Sequence, residues 1–419
     1  MQRTWTWLAL VLGAVSVPTS ARGDLLIVGP SSVGGTYTSI QPAVDAAHDG
    51  DVILVHTTDQ SAFTVDGKGL SVVEWPGHDI ALLGTITVRN VPLGKTVLLD
   101  GVFTRGSSVY PKSHPALLLQ NNAGPIRIQD GSFFGGGGAK WSCVYGHGGE
   151  AVVVENSPKV LLQGCKIFGG GGGGDLFSGC VGGDGGDGVV SSGSALAIYD
   201  CQITGGAGGP ADDGYPFDPG GDGGDGVHAT NWGVFLSGCT VRGGLGGHGS
   251  DGGDGGSGFV LDMAQGRILE TVLLGGAPGT GSISNGLPGS PTAGSGLFFM
   301  LPEDCVRLDA ISVSADHVAM QVLGEPAATV WLFSSRRVDQ RFLEGLSGIA
   351  TFPANTWTTM QPVGTIPATG RLQLDVPILA PDGPGGTMWI QALTRPAVGD
   401  PVLSSPRAVT TLATPLPPG

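Results

Sequence analysis

A glycine-rich phrase that returns along the chain decides the fold: residues 182–190 read GGDGGDGVV and residues 220–228 read GGDGGDGVH. Related phrases lie on either side of this pair, as GHGGEAVVV at 146–154, GGDGGSGFV at 252–260 and TAGSGLFF at 292–299. The spacing between copies is about 37 residues. A period of this length predicts a solenoid, in which each repeat is one coil that buries its apolar face against the next coil.

Short β-strands fill the chain between these phrases, from about residue 52 to residue 335. Short apolar runs alternate there with Gly, Asn, Asp and Pro, which is the pattern of strands joined by tight turns. Examples are LSVVEW (70–75), KVLLQ (159–163), ALAIYD (195–200) and GVFLSG (233–238). We therefore predict an all-β solenoid over residues 22–335.

One short helix is predicted at the start of this solenoid, within GGTYTSIQPAVDAAHDGDVILV (34–55). Ser39 is a favourable N-cap residue, and Ile40, Val44 and Ala47 fall on one face of the helix. Because the end of a solenoid exposes unpaired strand edges and apolar core, we expect this helix to cap the first coil.

Glycine-rich excursions interrupt the coils and have a period of three. Residues 243–257 divide into GGL GGH GSD GGD GGS. Glycine at two of every three positions permits close packing of extended left-handed helices, with the third side chain facing outward. We expect these loops to stack as ordered glycine helices beside the coils; the alternative is a flexible glycine linker.

Composition narrows the function classes. The chain has 419 residues, 77 of them Gly, and a formal net charge of −15. This charge argues against nucleic acid as a partner and favours cations or a cationic partner. Residues 1–21 (MQRTWTWLALVLGAVSVPTSA) resemble a cleaved secretory signal, and no other segment is apolar enough to span a bilayer. We therefore expect a secreted or cell-surface protein.

A second, smaller domain is predicted over residues 336–419. The glycine triplets end before it, and alternating strands such as GRLQLDVPIL (370–379) and TMWIQALTR (387–395) are separated by Pro and Gly turns. This pattern is typical of a small antiparallel β-sandwich.

The cysteines take defined places in the repeat. Cys143 and Cys180 each lie four residues before an aligned position, His147 and Asp184. Since adjacent coils lie about 4.8 Å apart, a disulfide between these two cysteines is predicted. Three further cysteines fall into one column that should point into the core as free thiols: Cys165, Cys201 and Cys239.

Aspartates recur at equivalent positions of successive repeats and are candidate Ca²⁺ ligands. The set is Asp184, Asp187, Asp222, Asp225, Asp251 and Asp254. Stacked carboxylates repel one another unless a cation or solvent separates them. GGDGGDGVV also matches the calcium-binding pattern G-G-x-G-x-D-x-U-x, although such nonapeptides normally run in tandem. The alternative is that these aspartates are solvated turn residues.

The segment YTSIQPAVDAAHDGDVILV (37–55), followed by VDGKGLSVVEW (65–75), resembles the opening of pectin-lyase-like proteins. This resemblance covers about 34–335 and implies that the all-β solenoid is a right-handed parallel β-helix. The signal, the GGDGGD phrases and the closing module together look like secreted proteins of planctomycete-type bacteria. The superfamily includes lyases, hydrolases, esterases and non-catalytic surface proteins, so the resemblance implies a fold more than an activity.

A hydrolase-like set follows the order of the polygalacturonase-type motifs. Asp212-Asp213 stands for the paired acids, His248 for the Gly-His-Gly motif and Arg267 for the Arg-Ile-Lys motif. Paired carboxylates could serve as acid and base. However, no Asn-Thr-Asp motif precedes them and Leu269 replaces the lysine, so we interpret this order as coincidence.

Two functions follow from the sequence as hypotheses. The first is a non-catalytic surface or extracellular protein for adhesion, scaffolding or glycan binding, with polysaccharide or cell-envelope partners. The second is a polysaccharide lyase or glycoside hydrolase, for which the fold resemblance and the weak set of Asp212, Asp213, His248 and Arg267 are the support.

Overall fold

Three long parallel sheets form the first part of the molecule. The computed structural model describes residues 23–31, 34–56, 60–76, 80–141, 144–174, 181–211, 218–313, 317–342, 346–352, 359–377 and 385–412. We call the three sheets A, B and C, and each coil passes through them in the order C, A, B. One coil, for example, contributes Val152–Glu155 to sheet C, Val160–Gln163 to sheet A and Lys166–Phe168 to sheet B. This arrangement confirms the right-handed parallel β-helix.

The strands of each sheet stack in register. Sheet A contains Leu25–Val28, Val52–Val55, Ser71–Glu74, Val97–Asp100, Ile126–Gln129, Val160–Gln163, Leu196–Tyr199, Gly233–Ser237, Gln265–Leu269 and Leu297–Leu301. Sheet B contains Gln60–Ser61, Ile80–Leu83, Val102–Arg105, Ser132–Phe134, Lys166–Phe168, Gln202–Thr204, Thr240–Arg242 and Val272–Leu274. Sheet C contains Thr64–Asp66, Ile86–Arg89, Leu117–Gln120, Val152–Glu155, Val189–Ser192, Val227–Thr230, Phe259–Asp262 and Thr292–Ala293.

One continuous core runs through the inside of the coils. Alternate residues of the strands point inward, so that Val154, Leu162 and Ile167 of one coil are fully buried together. The predicted column of free thiols lies in this core: Cys165, Cys201 and Cys239 are buried and unbridged. Cys143 and Cys180 lie outside the described residues, so their disulfide stays a prediction.

Left-handed residues make the turn between sheets C and A tight. Asn90, Asn121, Asn156 and Asn231 all have positive φ there. Asparagine tolerates this conformation better than most residues because its short polar side chain can hydrogen-bond locally. The side-chain amide of Asn156 donates to that of Asn121 in the preceding coil, at 3.2 Å. The turn sequence therefore contributes to the register of the coils.

The predicted helix spans Ile40–Ala46 and buries Ile40, Ala43 and Val44 against the first coils. Ser39 occupies the N-cap position but makes no side-chain cap hydrogen bond, contrary to the expectation. Instead, the side chain of Gln41 bonds both the N–H and the C=O of Thr64, at 2.7 and 3.2 Å. The helix is fixed by tertiary contacts more than by its cap.

Among the described residues, no helix is long and apolar enough to cross a membrane.

The glycine-rich excursions form an ordered two-layer structure, which we call the glycine slab. Each excursion leaves sheet B as an outgoing segment and comes back to sheet C as a returning segment. The outgoing segments are 135–139, 169–174, 205–211, 243–248 and 275–280, and the returning segments are 146–150, 182–188, 220–226, 252–258 and 286–291. Two short strand pairs adjoin the slab: Lys140–Trp141 with Val144–Tyr145, and Gly249–Asp251 with Gly281–Ser284.

Backbone hydrogen bonds cross the slab in a zigzag. The N–H of Gly186 donates to Gly170, that of Gly206 to Gly186, and that of Gly224 to Gly206, at 2.7 to 2.9 Å. The other glycine of each triplet bonds within its own layer, as Gly185 N–H does to the carbonyl of Asp222 at 2.8 Å. Extended glycine helices make no internal hydrogen bonds, so these contacts satisfy their backbone. The predicted stacked loops are confirmed.

Antiparallel strands follow the solenoid. One sheet contains Arg307–Val313, His317–Leu323 and Arg371–Pro377, and a second contains Thr359–Thr365, Thr329–Ser335, Gly385–Arg395, Val402–Leu403 and Arg407–Leu412; Arg341–Phe342 pairs with Ile349–Ala350. The parallel strands end at residue 301, so the change of pairing comes before the predicted boundary at 336. The loss of glycine triplets did not mark this change, because the pairing direction of a strand does not depend on its glycine content.

These antiparallel strands pack on the outer face of sheet A. Outward residues of sheet A share one apolar cluster with them, including Leu161, Tyr199 and Phe235 on one side and Val330 and Ile390 on the other. The middle strands of sheet A are therefore covered on both faces, whereas its last strand exposes Leu297, Phe299 and Met300. The outer face of sheet C and the glycine slab keep their contact with solvent, and the polar residues on them are the candidate functional residues.

Candidate functional site

Acidic side chains form two rows on the returning segments of the glycine slab. The third residue of each triplet faces outward, which gives an outer row of His147, Asp184, Asp222 and Asp254. The inner row lies next to sheet C and consists of Glu150, Asp187, Asp225 and Ser257. The predicted equivalence of these positions is thus reproduced in space. It arises because glycine at the other two positions allows the segments to approach closely.

Each aspartate of the outer row bonds the coil that follows it. One carboxylate oxygen of Asp184 accepts the N–H of Asp222 at 2.9 Å, and that of Asp222 accepts the N–H of Asp254 at 2.7 Å. Asp254 accepts the N–H of Leu287 in the same way, at 2.7 Å. At the start of the row, Nδ1 of His147 accepts the N–H of Asp184 at 3.0 Å. These backbone N–H groups point away from the slab, where no further glycine segment among the described residues accepts them. The side chains of the outer row serve as their acceptors instead.

The inner row follows the same rule. Oδ1 of Asp187 accepts the N–H of Asp225, and Oδ1 of Asp225 accepts the N–H of Ser257, both at 2.7 Å. The carboxylates of Asp187 and Asp225 are thereby held in fixed orientations. Unlike the outer row, they are mostly buried, with side-chain exposures of 22% and 24%.

His228 joins the inner row at the point where the returning segment becomes a strand of sheet C. Its Nδ1 lies 3.9 Å from Oδ2 of both Asp187 and Asp225. Its Nε2 lies 3.2 Å from Oδ2 of Asp262, on the next coil. One ligand atom from each of Asp187, Asp225 and His228 lies within 4.8 Å of the other two. Three successive coils therefore contribute to one polar cluster.

The electrostatics of this cluster follow from burial and from like charges. Burial raises the pKa of the Asp187 carboxyl to about 6, and the nearby charge of Asp225 acts in the same direction. Burial also raises the pKa of Asp225. By contrast, the pKa of Asp262 is lowered, first by the N–H of Ser295 and then by the ring of His228. The carboxyl of Asp187 therefore takes up a proton at a higher pH than an exposed aspartate does.

The predicted calcium ligands divide into three places. Asp187 and Asp225 lie in the cluster with His228, whereas Asp184, Asp222 and Asp254 lie in the outer row. Asp251 belongs to neither row, since it lies in the short strand Gly249–Asp251 and its carboxylate accepts the hydroxyl of Ser284 at 2.5 Å. The structure therefore does not bring the six aspartates into one site.

The weak catalytic set is also divided. His248 ends an outgoing segment of the slab, and its Nδ1 lies 2.5 Å from the hydroxyl of Thr280. Arg267 lies in sheet A, in register with Phe235, whose side chain packs under the antiparallel strands. The two residues are thus placed on different parts of the coil. Asp212 and Asp213 lie outside the described residues.

The sequence analysis did not predict two residues of the cluster, His228 and Asp262. His228 ends the phrase GGDGGDGVH, where the preceding copy ends in valine. In sheet C, His228 pairs with Val190 on one side and Val260 on the other. The histidine in place of valine is a signal that can be read from the sequence. It predicts a site only when Asp262 is known to lie beside His228.

Comparisons with known proteins add little. No family model matches the chain, and no curated protein matches it. A rhamnogalacturonan lyase is similar over 59% of this chain and 70% of its own, with 11% identity and a TM-score of 0.33. The enzymatically active domain of Bacteriophage CBA120 tailspike protein 2 is similar over 90% and 73%, with 10% identity and a TM-score of 0.19. Likenesses at these TM-scores carry no argument about activity, and the assignment of the fold rests on the strand pairing.

Proposed function

We propose that this chain is an extracytoplasmic, non-catalytic β-helix protein that binds a charged polysaccharide through the outer row of its glycine slab. The observation that carries the proposal is the ladder of hydrogen bonds from Asp184 to Asp222, Asp254 and Leu287. It holds the carboxylates at the spacing of the coils, about 4.8 Å. A rigid row loses little conformational freedom when a polymer binds to it.

Charge indicates which polymer suits this row. Each carboxylate has two oxygens, and the ladder uses one of them. The net charge of −15 favours a polymer that carries amines, since it attracts cationic partners over a long range. An acidic polymer bridged by Ca²⁺ is the other arrangement that such a row could support.

Retention on immobilised polysaccharides tests this proposal. We expect the full chain to bind a deacetylated amino glycan more tightly than its acetylated form, and to be released by salt. A triple variant, Asp184→Asn with Asp222→Asn and Asp254→Asn, should lose at least tenfold in affinity. Asparagine keeps the side-chain oxygen that accepts the next N–H, so the ladder persists while three charges are removed.

A matched control carries the same charge change elsewhere. Asp304, Asp375 and Asp400 are exposed and lie outside the slab, so replacing these three with Asn should leave retention unchanged. If both triple variants bind alike, the outer row is not the binding surface. If an acidic glycan binds in the presence of Ca²⁺ but not in EDTA, the ligand is an acidic polymer bridged by Ca²⁺ and not an amine-bearing polymer.

A second candidate function is polysaccharide cleavage, and one observation favours it. Asp187, with a pKa raised to about 6, lies beside Asp225, and paired carboxylates of unequal pKa serve as acid and base in glycan-cleaving enzymes. The test is to incubate the chain with acidic and neutral glycans and to measure new reducing ends and unsaturated products. Turnover that Asp187→Asn abolishes would overturn the non-catalytic proposal.

A further inference from the structure

We propose that Asp187, Asp225 and His228 bind a divalent transition metal ion of the Zn²⁺ class. The three ligand atoms come from two successive coils and lie within 4.8 Å of one another. This inference concerns the inner row and does not depend on what the outer row binds.

The hydrogen bond of His228 decides which ring nitrogen is available. A carboxylate oxygen can only accept, so the contact of Nε2 with Asp262 at 3.2 Å places the ring proton on Nε2. In the neutral imidazole, Nδ1 then carries a lone pair. That lone pair faces Oδ2 of Asp187 and Oδ2 of Asp225, both at 3.9 Å, which is too long for a hydrogen bond. Three electron-pair donors directed at one another are stabilised by a cation between them.

The same atoms have the outer contacts that metal ligands usually have. Metal-binding histidines typically donate their other ring N–H to a carboxylate, as His228 does to Asp262. Ligating carboxylates are also normally hydrogen-bonded, and here Oδ1 of each accepts a backbone N–H at 2.7 Å, with Oδ2 directed at His228. All three ligands are therefore oriented by hydrogen bonds that leave the proposed ligand atoms available.

The donor set indicates the class of metal. Ca²⁺ is bound by oxygen ligands alone, whereas one imidazole nitrogen and two carboxylate oxygens suit Zn²⁺, Mn²⁺ and related ions. Bond lengths of about 2.0 to 2.2 Å separate the ligand atoms of one ion by roughly 3 to 4 Å. The distances of 3.9 Å around Nδ1 need only a small contraction, and the two carboxylates, whose ligand oxygens lie within 4.8 Å of each other, must also approach. The sequence-based expectation of Ca²⁺ at six aspartates thus becomes a mixed-ligand site at three residues.

The first histidine of the slab shows why the site lies at His228. Nδ1 of His147 also faces an aspartate, Asp184, but it already accepts the N–H of that residue at 3.0 Å. Its lone pair is therefore occupied by a structural hydrogen bond. Among the described residues, Nδ1 of His228 has no such partner within hydrogen-bonding distance. The two histidines make a matched pair for experiments.

Metal titration of the full chain tests the proposal. After treatment with EDTA and removal of the chelator, Zn²⁺ should bind with a stoichiometry of one and raise the melting temperature, with Ca²⁺ much weaker. Co²⁺ should give the visible absorption bands of a nitrogen- and oxygen-ligated ion. His228→Val should weaken Zn²⁺ binding at least tenfold, and it should fold normally because valine occupies the equivalent position in both neighbouring strands.

Further variants separate the roles of the surrounding residues. Asp225→Asn should weaken Zn²⁺ binding as His228→Val does, whereas His147→Gln and Asp222→Asn should leave it unchanged. Asp262 acts through His228, so Asp262→Asn should lower the affinity about tenfold while the stoichiometry stays at one. The proposal is overturned if Zn²⁺ does not bind, if His228→Val binds it as tightly as the wild type, or if Ca²⁺ is preferred. None of these outcomes decides polysaccharide retention, which the outer-row variants measure separately.

Discussion

The carboxyl group of Asp100 has a pKa that is changed by its buried position between sheet A and the antiparallel strands. It lies at the end of the strand Val97–Asp100, and the amide of Gln129 lies 3.3 Å from its Oδ1. Burial raises its pKa to about 7, and the charges of Asp130 and Glu74 act in the same direction while Arg407 opposes them. Asp100 is therefore largely protonated in the folded protein under mildly acidic conditions.

Replacing Asp100 with Asn should change how stability depends on pH. The unfolded carboxyl has a pKa near 3.8 and the folded one near 7, so both states are protonated only below about pH 3. Between these values the unfolded state releases its proton first, and stability is lost as the pH rises, by at most about 4 kcal/mol. Asp100→Asn should remove this loss and melt at a higher temperature than the wild type at pH 8, with little difference at pH 4.

Thermal melts across this pH range provide the measurement. Asp375→Asn is the matched control, because Asp375 is exposed on the antiparallel strands and undergoes the same chemical change. Equal pH profiles for the wild type and Asp100→Asn would contradict the assignment of a raised pKa to Asp100.

The glycine slab is the element in which side-chain size matters most. A Cβ atom added at Gly169 would overlap the backbone carbonyl of Gly186, and one at Gly170 would overlap that of Gly136. At Gly171, by contrast, the nearest atom to an added Cβ is the carbonyl oxygen of Ala207, at 3.6 Å. Two of the three positions in a triplet thus accept only glycine, and the third accepts a side chain.

Substitutions one residue apart should therefore differ sharply. Gly170→Ala should destabilise the protein by about 3 kcal/mol, because the obstructing atoms are backbone and belong to a hydrogen-bonded layer. Gly171→Ala should change stability by less than about 0.5 kcal/mol, as surface substitutions usually do. Chemical denaturation with both variants measures the difference. Similar losses for the two alanines would mean that the slab is looser than the hydrogen-bond zigzag indicates.

The molecule as a whole depends on contacts between the β-helix and the antiparallel strands. Besides their shared apolar cluster, the buried hydroxyl of Tyr199 accepts the N–H of Ile349 at 2.9 Å. Arg127, which is only 2% exposed, donates to the side chain of Gln340 and the carbonyl of Asp339 at 2.9 and 2.8 Å. The interface therefore has both a core and polar contacts that fix its geometry.

We expect the β-helix and the antiparallel strands to unfold in one transition. Tyr199→Phe should therefore lower the stability of the β-helix and that of the antiparallel strands together. The change leaves the buried N–H of Ile349 without its acceptor, which should cost about 1–3 kcal/mol. Hydrogen exchange should show equal losses of protection in Leu196–Tyr199 and in Gly385–Arg395. Tyr37→Phe, near the capping helix, is the control. Separate transitions in the wild type would contradict this coupling.

The sequence alone was sufficient to predict the solenoid, the capping helix, the stacked glycine loops and the equivalent positions of the aspartates. These features repeat from coil to coil, so each copy supports the same interpretation of its neighbours. The change to antiparallel pairing before residue 307 was not visible, because a short strand sequence does not show whether its neighbours run parallel or antiparallel to it.

Only the tertiary structure decided which face the antiparallel strands cover and which residues make the cluster around His228. The outward residues of sheet A, such as Arg127 and Tyr199, look in sequence like those of any alternating strand, and their burial depends on what packs over them. His228 and Asp262 are 34 residues apart, and the parallel register alone brings them together. A repeat predicts its own periodic surface, whereas a site built on a departure from the repeat exists only through its neighbours in space.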